Sequence, residues 1–178
     1  MENSAPFESV TKLEAAERQL RVAIRSFFEG KDLIAVHTLA AAAQEVLRDL
    51  GRPRGIKSIF KGSDRIRPEK TKEINAIFNE AQNFFKHADR DPSENLKFHY
   101  EATKYYLLDA ALLYNQLTGR QFPEMTGLIC WFLLKFPDLL GDDPYLQAAV
   151  QLAKGVNADD LELLLAAVDQ LARQQSRL

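Results

Sequence analysis

The residues best suited to chemistry lie in the segment 79–91, which reads NEAQNFFKHADRD. Two phenylalanines in this segment suit a hydrophobic core, and polar side chains surround them. On a helix, Asn83 and His87 are four residues apart and therefore share a face. An imidazole can transfer protons or orient a hydroxyl group, and an amide can position it. The spacing predicts either a catalytic pair or the polar edge of a packed helix.

The chain has three histidines, His37, His87 and His99. If the first four helices run up, down, up and down, as short connections favour, all three histidines lie at one end of the bundle together with several carboxylates. Such a group could hold zinc or iron. However, the sequence has no Glu-x-x-His pair of the kind that a di-iron bundle uses. A metal-binding bundle is therefore the weakest alternative, and we assign no metal ligands.

Residues 51–67, GRPRGIKSIFKGSDRIR, form a basic connector. Between Arg48 and Lys72, nine basic side chains stand against three acidic ones. Some of them crowd the start of the third predicted helix, where the helix dipole disfavours cations, and this indicates an anionic partner. A solvated loop that needs charge for solubility is the competing interpretation. In addition, an up-down bundle places the connector at the end opposite the histidines. The candidate nucleic-acid-binding residues are Arg52, Arg54, Lys57, Lys61, Arg65 and Arg67.

Hydrophobic spacing predicts the helices that must position these residues. Apolar side chains recur at intervals of three and four over about 9–29, 33–50, 68–89 and 93–117. The small residues at 39–43, LAAAA, allow a neighbouring helix to approach the second helix closely. Residues 91–94, DPSE, predict a cap for the fourth helix. No alternating strand pattern occurs.

Prolines and glycines divide the last third of the chain into three shorter predicted helices, at about 124–135, 144–154 and 158–174. We therefore predict an all-α fold: an up-down four-helix bundle with a C-terminal extension. The predicted parts are a flexible tail at 1–8, the bundle at 9–119, and a helical extension at 120–178. The extension is expected to pack on the bundle or to form a dimer interface.

The fragment from Gln82 to His87, QNFFKH, resembles the helix motif of the HEPN superfamily of small helical bundles. In that family an arginine, often followed by asparagine, precedes a histidine near the end of a helix. The second helix, which contains Glu45, is also similar to the helix that precedes the motif. The resemblance implies that His87 and Asn83 occupy active-site positions, with Glu45 or His99 in support. Gln82 stands at the arginine position and offers hydrogen bonds without a charge.

The resemblance implies a homodimeric protein that binds or processes RNA, in a toxin–antitoxin or defence context. The C-terminal helices favour another interpretation, a non-catalytic protein-interaction bundle of the antitoxin or adaptor kind. A leucine-rich stripe on the last helix and the apolar segment MTGLICWFLLKF both need a partner surface, which ordinary packing within the chain also supplies. The stripe consists of Leu161, Leu164, Leu165, Val168 and Leu171.

Composition limits the remaining classes. The formal net charge is −2, so bulk charge indicates neither nucleic acid nor membrane. The N-terminal MENSAPFESV lacks a signal-peptide pattern, the only cysteine is Cys130, and the apolar runs are too short to span a bilayer. These features predict a cytoplasmic protein without a membrane partner. No phosphate-loop motif is present, and we predict no cofactor.

Overall fold

The computed structural model describes residues 7–61, 68–87, 89, 92–137 and 155–175, and every regular element in these residues is helical. The α-helices are α1 (Lys12–Phe28), α2 (Leu33–Gly51), α3 (Thr71–Phe84), α4 (Glu101–Thr118), α5 (Pro123–Lys135) and α6 (Leu161–Gln175), and short 3-10 turns occupy Arg52–Arg54 and Pro68–Lys70. The predicted all-α fold is confirmed. Within the described ranges, no helix has both the length and the apolar character needed to cross a membrane. The helix predicted at 144–154 lies outside the described residues.

The core forms where α2 lies between α1 and α4. Ala40, Ala41 and Ala43 of α2 are completely buried, and their small side chains allow the neighbouring helices to pack closely against this stretch. Larger buried side chains such as Leu20 of α1 and Leu107 of α4 fill the surrounding space. The small side chains of the LAAAA stretch thus allow α1 and α4 to pack closely on α2.

The finer prediction of an up-down four-helix arrangement is not confirmed. Helix α3 contacts α2 far less than α1 and α4 do. Near its C-terminal end, Ala81 and Gln82 are buried. Helix α3 therefore lies at the edge of the core, with Ala81 and Gln82 of its last turn packed against the rest of the protein.

Two predicted helix boundaries are wrong. The fourth helix was expected to begin near residue 93, but residues 92–100 are not helical and α4 begins at Glu101. In this non-helical segment, the Phe98 ring packs against His37 and Phe85, with centroids 5.0 and 5.2 Å apart. This aromatic packing outweighs the local capping signal. The third helix was expected to reach residue 89 but ends at Phe84.

The C-terminal helices α5 and α6 pack against each other and against α1. The indole Nε1 of Trp131 donates to the backbone oxygen of Ala158 at 3.0 Å, and Arg25 on α1 donates to Asp169 on α6 at 2.9 Å. On α6, Leu164 is buried, whereas Leu163 on a neighbouring face is 51% exposed. The homodimer and the protein partner stay predictions.

Replacing Gly127 with alanine is expected to disturb the contact between α5 and α6. A Cβ atom at this position would lie 2.3 Å from Val168 Cγ2, so either the Val168 side chain or one of the two helices must shift. Overpacking of this kind costs about 1–3 kcal/mol, although alanine regains roughly 1 kcal/mol of helix propensity. Urea unfolding of Gly127→Ala, Val168→Ala and the double variant measures the coupling. We expect Gly127→Ala to be neutral or stabilising once Val168 is alanine, and equal effects in both backgrounds would contradict this contact.

Candidate nucleic-acid interface

A cavity of about 430 Å³ lies beside the C-terminal end of α2. Among the residues that the structure describes, its lining contains four basic side chains and no acidic one. The volume falls within the range of small-molecule pockets, roughly 300–1,000 Å³. We call it the basic cavity, and its lining residues are Arg48, Arg52, Ile56, Lys57, Ser58, Lys61 and Asn79. Three of the six candidate nucleic-acid-binding residues therefore lie together.

Local sequence explains how the basic cavity forms. Arg48 and Arg52 are four residues apart at the end of α2, so their side chains lie on the same side. The 3-10 turn that follows ends at Gly55, which adopts φ 71°, a left-handed conformation that glycine tolerates best. This turn redirects the chain so that Lys57 and Lys61 line the same cavity as the two arginines.

A buried hydrogen-bond network fixes the connector segment that carries Lys57 and Lys61. Asp109 of α4 accepts from Ser58 Oγ at 2.7 Å, from the backbone N–H of Ile59 at 2.8 Å and from Gln44 Nε2 at 2.7 Å. Ser58 Oγ in turn accepts from the backbone N–H of Lys61 at 2.8 Å. Asp109 therefore anchors the connector to both α2 and α4.

Lys61 has an environment that favours the loss of its proton. Burial, followed by the positive charge of Arg48, lowers the pKa of its ammonium group from 10.5 to about 8, despite opposing contributions from Glu45 and Asp109. The Nζ atom lies 3.3 Å from Gln82 Oε1 and 5.0 Å from the centroid of the Tyr106 ring. An anion in the basic cavity would favour the charged form of Lys61.

The arginines of the basic cavity are paired with carboxylates that lie outside its lining. Asp49 Oδ1 accepts from Arg52 at 2.7 Å and from Arg48 at 3.4 Å, while Glu45 lies 3.8 Å from Arg48. The Nε atom of Arg48 is buried and has no hydrogen-bond partner among the described residues. These ion pairs orient both guanidinium groups and offset part of their positive charge.

The QNFFKH segment is connected to the basic cavity through Gln82. The side chain of Gln82 is buried, its Nε2 donates to Glu45 at 2.5 Å, and its Oε1 accepts from Lys61. Glu45 also lies 3.6 Å from Lys86. The expectation that the connector and the histidine motif lie at opposite ends is therefore wrong, because the anchored connector returns to the last turn of α3.

The predicted catalytic side chains are not assembled around one point in the described residues. Asn83 is exposed, Glu45 is bound to Gln82, and the His87 ring lies 3.9 Å from Asp89. His99 precedes α4 and is exposed. The packed rings of Phe85 and Phe98 bring the chain segments of His87 and His99 near each other. The catalytic role of these four residues stays a prediction.

His37 is the histidine that the core encloses. Its side chain is completely buried, and Nδ1 lies 3.1 Å from Thr103 Oγ1. The rings of Tyr106, Phe98 and Phe85 surround it, with centroids 4.9, 5.0 and 6.0 Å away. Burial, followed by the charge of Lys61, lowers the pKa of His37 to about 4. His37 is thus a neutral core residue that joins α2 to α4 and to the segment before it.

The remaining candidate cations have other positions. Arg54 donates to the backbone oxygen of Leu117 at 3.2 Å and does not line the basic cavity. Arg65 and Arg67 lie outside the described residues. Sequence reasoning did not select Arg48, Ser58 or Asn79 as site residues, although Arg48 begins the basic run.

In the part of the chain that the structure describes, no three His, Cys, Asp or Glu side chains form a group that could hold a metal ion.

We compared the chain with protein-family models, with curated proteins and with solved structures, and none of them matches.

Proposed function

We propose that this protein is an RNA-binding protein with a HEPN-like helical scaffold, and that it holds RNA phosphate in the basic cavity. The observation that supports this proposal is the lining of the cavity, where the described residues include four basic side chains and no acidic one. Phosphate contacts from lysine and arginine supply most of the affinity of proteins for nucleic acids. Arginine is well suited to this role because its planar guanidinium can donate two hydrogen bonds to one phosphate.

Binding without cleavage fits the described geometry better than ribonuclease activity. A ribonuclease of this kind needs a cation at the reacting phosphate and an acid–base group within hydrogen-bond reach. Gln82, at the motif position of the arginine, is buried between Glu45 and Lys61 and carries no charge. The cations lie in the basic cavity, whereas the His87 ring lies beside Asp89. We therefore expect RNA to bind and to remain intact.

The combined substitution Arg52→Gln and Lys57→Gln is expected to weaken RNA binding about tenfold or more, because it removes two phosphate contacts. Both side chains are exposed, so the fold should be retained. Fluorescence anisotropy with a labelled single-stranded RNA at several salt concentrations measures the effect. The slope of log K against log salt should decrease in size by about 1.4, or about 0.7 for each of the two cations replaced.

Lys31→Gln is the matched control. Lys31 is an exposed cation in the turn before α2, at the end opposite Arg48 and Arg52. We expect this variant to bind RNA as the wild type does, and all three proteins to share one melting temperature. Equal weakening by Lys31→Gln would indicate general charge attraction and contradict the site. Absence of RNA binding by the wild type would exclude the proposed function.

A non-catalytic protein-interaction bundle is the second candidate function. It is favoured by apolar side chains that remain exposed on two neighbouring helices, Leu163 and Leu171 on α6 and Val22 on α1. Exposed apolar groups of this size are typical of interaction surfaces when they are contiguous. A wild-type protein that binds no RNA but forms a dimer, which Leu163→Glu converts to a monomer, would favour this function.

A further inference from the structure

We infer that Lys61 is a site of acyl modification, at which its amine takes the acyl group of a neutral thioester that enters the basic cavity. The position of Lys61 supports this role, because the residue lines the cavity while its amine lies over the ring of Tyr106, a residue of the core. Lys61 has this role whether or not the cavity binds RNA, and the two ligands would compete for the same space.

Both the backbone and the side chain of Lys61 are held by their neighbours. The backbone N–H donates to Ser58 Oγ at 2.8 Å, and Ser58 in turn donates to the carboxyl group of Asp109. The Nζ atom donates to Gln82 Oε1 at 3.3 Å and lies 5.0 Å from the centroid of the Tyr106 ring. Lysine side chains usually extend their ammonium groups into water. These contacts instead keep the amine of Lys61 close to the core.

This setting makes Lys61 a nucleophile near neutral pH. Only a neutral amine can attack a carbonyl carbon, and burial or a neighbouring cation favours the neutral form. At Lys61, burial, followed by the charge of Arg48, lowers the pKa from 10.5 to about 8. At about pH 7.5 the amine is therefore neutral in about a quarter of the molecules, against roughly 0.1% for a lysine with a pKa of about 10.4.

The surroundings also favour an acyl group from a neutral donor. Burial is the largest influence on Lys61 and disfavours charge, so an uncharged amide suits this position better than an ammonium group. The amide keeps one N–H, which can donate to Gln82 Oε1 as the amine does. A negatively charged donor would favour the ammonium form, which cannot attack. The cavity, at about 430 Å³, has room for a small thioester.

The reaction is an acyl transfer that needs no oxidant or reductant. The neutral amine of Lys61 attacks the carbonyl carbon and forms a C–N bond, and the bond between that carbon and sulfur breaks. The sulfur leaves with the electron pair of the broken bond. The nitrogen gives up one proton, which the sulfur accepts, so the products are an amide on Lys61 and a free thiol.

Reaction with the acetyl thioester of N-acetylcysteamine, a neutral probe, tests this role, and peptide mass spectrometry measures the rate at each lysine of the full chain. We expect Lys61 to react about tenfold faster than Lys57 at about pH 7.5, because its larger neutral fraction outweighs the lower nucleophilicity of a weaker base. Lys57 is the matched control, since it lines the same cavity but is exposed. The rate at Lys61 should reach half of its maximum at a pH of about 8.

Equal rates at Lys61 and Lys57 would overturn the assignment of Lys61, and so would a rate at Lys61 with no plateau up to about pH 10. Acetyl phosphate, an anionic donor, should give a smaller difference between the two lysines, and a larger difference would overturn the assignment to a neutral donor. In the chain unfolded by urea, the two lysines should react alike. An advantage of Lys61 that persists in urea would contradict the role of the cavity.

RNA separates the modification of Lys61 from the proposed function. Phosphate in the cavity would block the donor and favour the ammonium form. Resting on the proposed RNA binding, we therefore expect saturating RNA to slow acylation of Lys61 about tenfold, the effect of one pKa unit, and to leave Lys31 unaffected. Fast acylation of Lys61 that RNA does not slow would retain the modification site and contradict RNA binding in the cavity. Slow acylation of Lys61 in a protein that binds RNA would retain the proposed function and overturn the modification site.

Discussion

Asp109→Ala is expected to lower the free energy of unfolding by about 3 kcal/mol or more, because it removes the acceptor of two buried donors and one partly buried donor. Those donors are Ser58 Oγ, the backbone N–H of Ile59 and Gln44 Nε2, all within 2.8 Å of a carboxyl oxygen. The Ser58 and Gln44 donors would remain buried without this partner. Urea unfolding at neutral pH measures the loss.

Asp109→Asn is the matched variant for this measurement. Asparagine keeps the shape and one oxygen acceptor, so we expect a loss of about 1–2 kcal/mol, smaller than for alanine. Asp159→Ala changes an exposed aspartate on the surface and should alter the free energy of unfolding by less than about 0.5 kcal/mol. If Asp109→Ala costs no more than Asp159→Ala, Asp109 does not anchor the connector.

The same substitution links the fold to the proposed site. Asp109 does not line the basic cavity, yet it holds the segment from Ser58 to Lys61 against α4. We therefore expect any Asp109 variant that remains folded to bind RNA more weakly than the wild type. Unchanged RNA affinity in a destabilised Asp109→Asn protein would show that the position of the connector does not matter for binding.

The helices that local periodicity encodes were predicted well. Helices α1 and α2 begin and end within a few residues of the predicted bounds, because their apolar stripes and caps lie in the same short stretch of chain. Thr11 and Asp32 cap these two helices in the structure through side-chain oxygens. Boundaries that depend on local chemistry can therefore be derived from the sequence.

The start of α4 could not be predicted, because it depends on contacts between distant residues. The sequence around Pro92 contains a good capping signal, but Phe98 packs against His37, which is far away in the chain. The burial of that aromatic ring competes with one additional helical turn. Local sequence patterns indicate the additional helical turn but not the burial of the aromatic ring.

The basic cavity was predicted in part. The excess of lysine and arginine marked the connector, and Arg52, Lys57 and Lys61 do lie together. The return of the connector to α3 depends on Asp109, a single acidic residue in an otherwise apolar and aromatic stretch of its helix. A buried carboxyl group of this kind is recognisable in a sequence only as an irregularity in the apolar face. Its partners become known only from the fold.

The three histidines also show that the surroundings of a side chain cannot be derived from its neighbours in the sequence. An up-down topology places all three at one end of the bundle, and the neighbours of His87 in the sequence favour it as the reactive one. In the structure, His37 is the buried histidine. Its ring is enclosed by aromatic residues from three other parts of the chain. The chemical character of a histidine is set by these surroundings, so the sequence motif alone could not rank the three.

His37 gives the second large expected effect, a loss of stability as the pH falls. The pKa of His37 is about 4 in the folded protein and near 6.5 when the side chain is exposed to water in the unfolded chain. Above pH 6.5 neither state binds the proton, and the contribution to stability is fully present. Between pH 6.5 and 4 the unfolded state binds a proton that the folded state does not bind, so the free energy of unfolding decreases as the pH falls.

The size of this decrease follows from the two pKa values. At about 1.4 kcal/mol for each pH unit between them, His37 is expected to cost about 2 kcal/mol at about pH 5 and about 3 kcal/mol below about pH 4. The charged groups that act on this ring include Lys61, whose positive charge also disfavours the imidazolium ion. Tyr106 remains neutral over this range, because a tyrosine hydroxyl loses its proton only at much higher pH and burial raises its pKa further.

His37→Gln isolates the contribution of this histidine, because glutamine can bond to Thr103 but does not titrate. We expect the wild type to lose about 2 kcal/mol more than His37→Gln between about pH 7.5 and about pH 5, as measured by urea unfolding at both values. Carboxyl groups titrate in both proteins, so their contribution cancels in the comparison. His99→Gln, which replaces an exposed histidine, should lose as much stability as the wild type. Equal losses in the wild type and His37→Gln would mean that the ring accepts a proton in place, and would contradict its enclosure by Phe85, Phe98 and Tyr106.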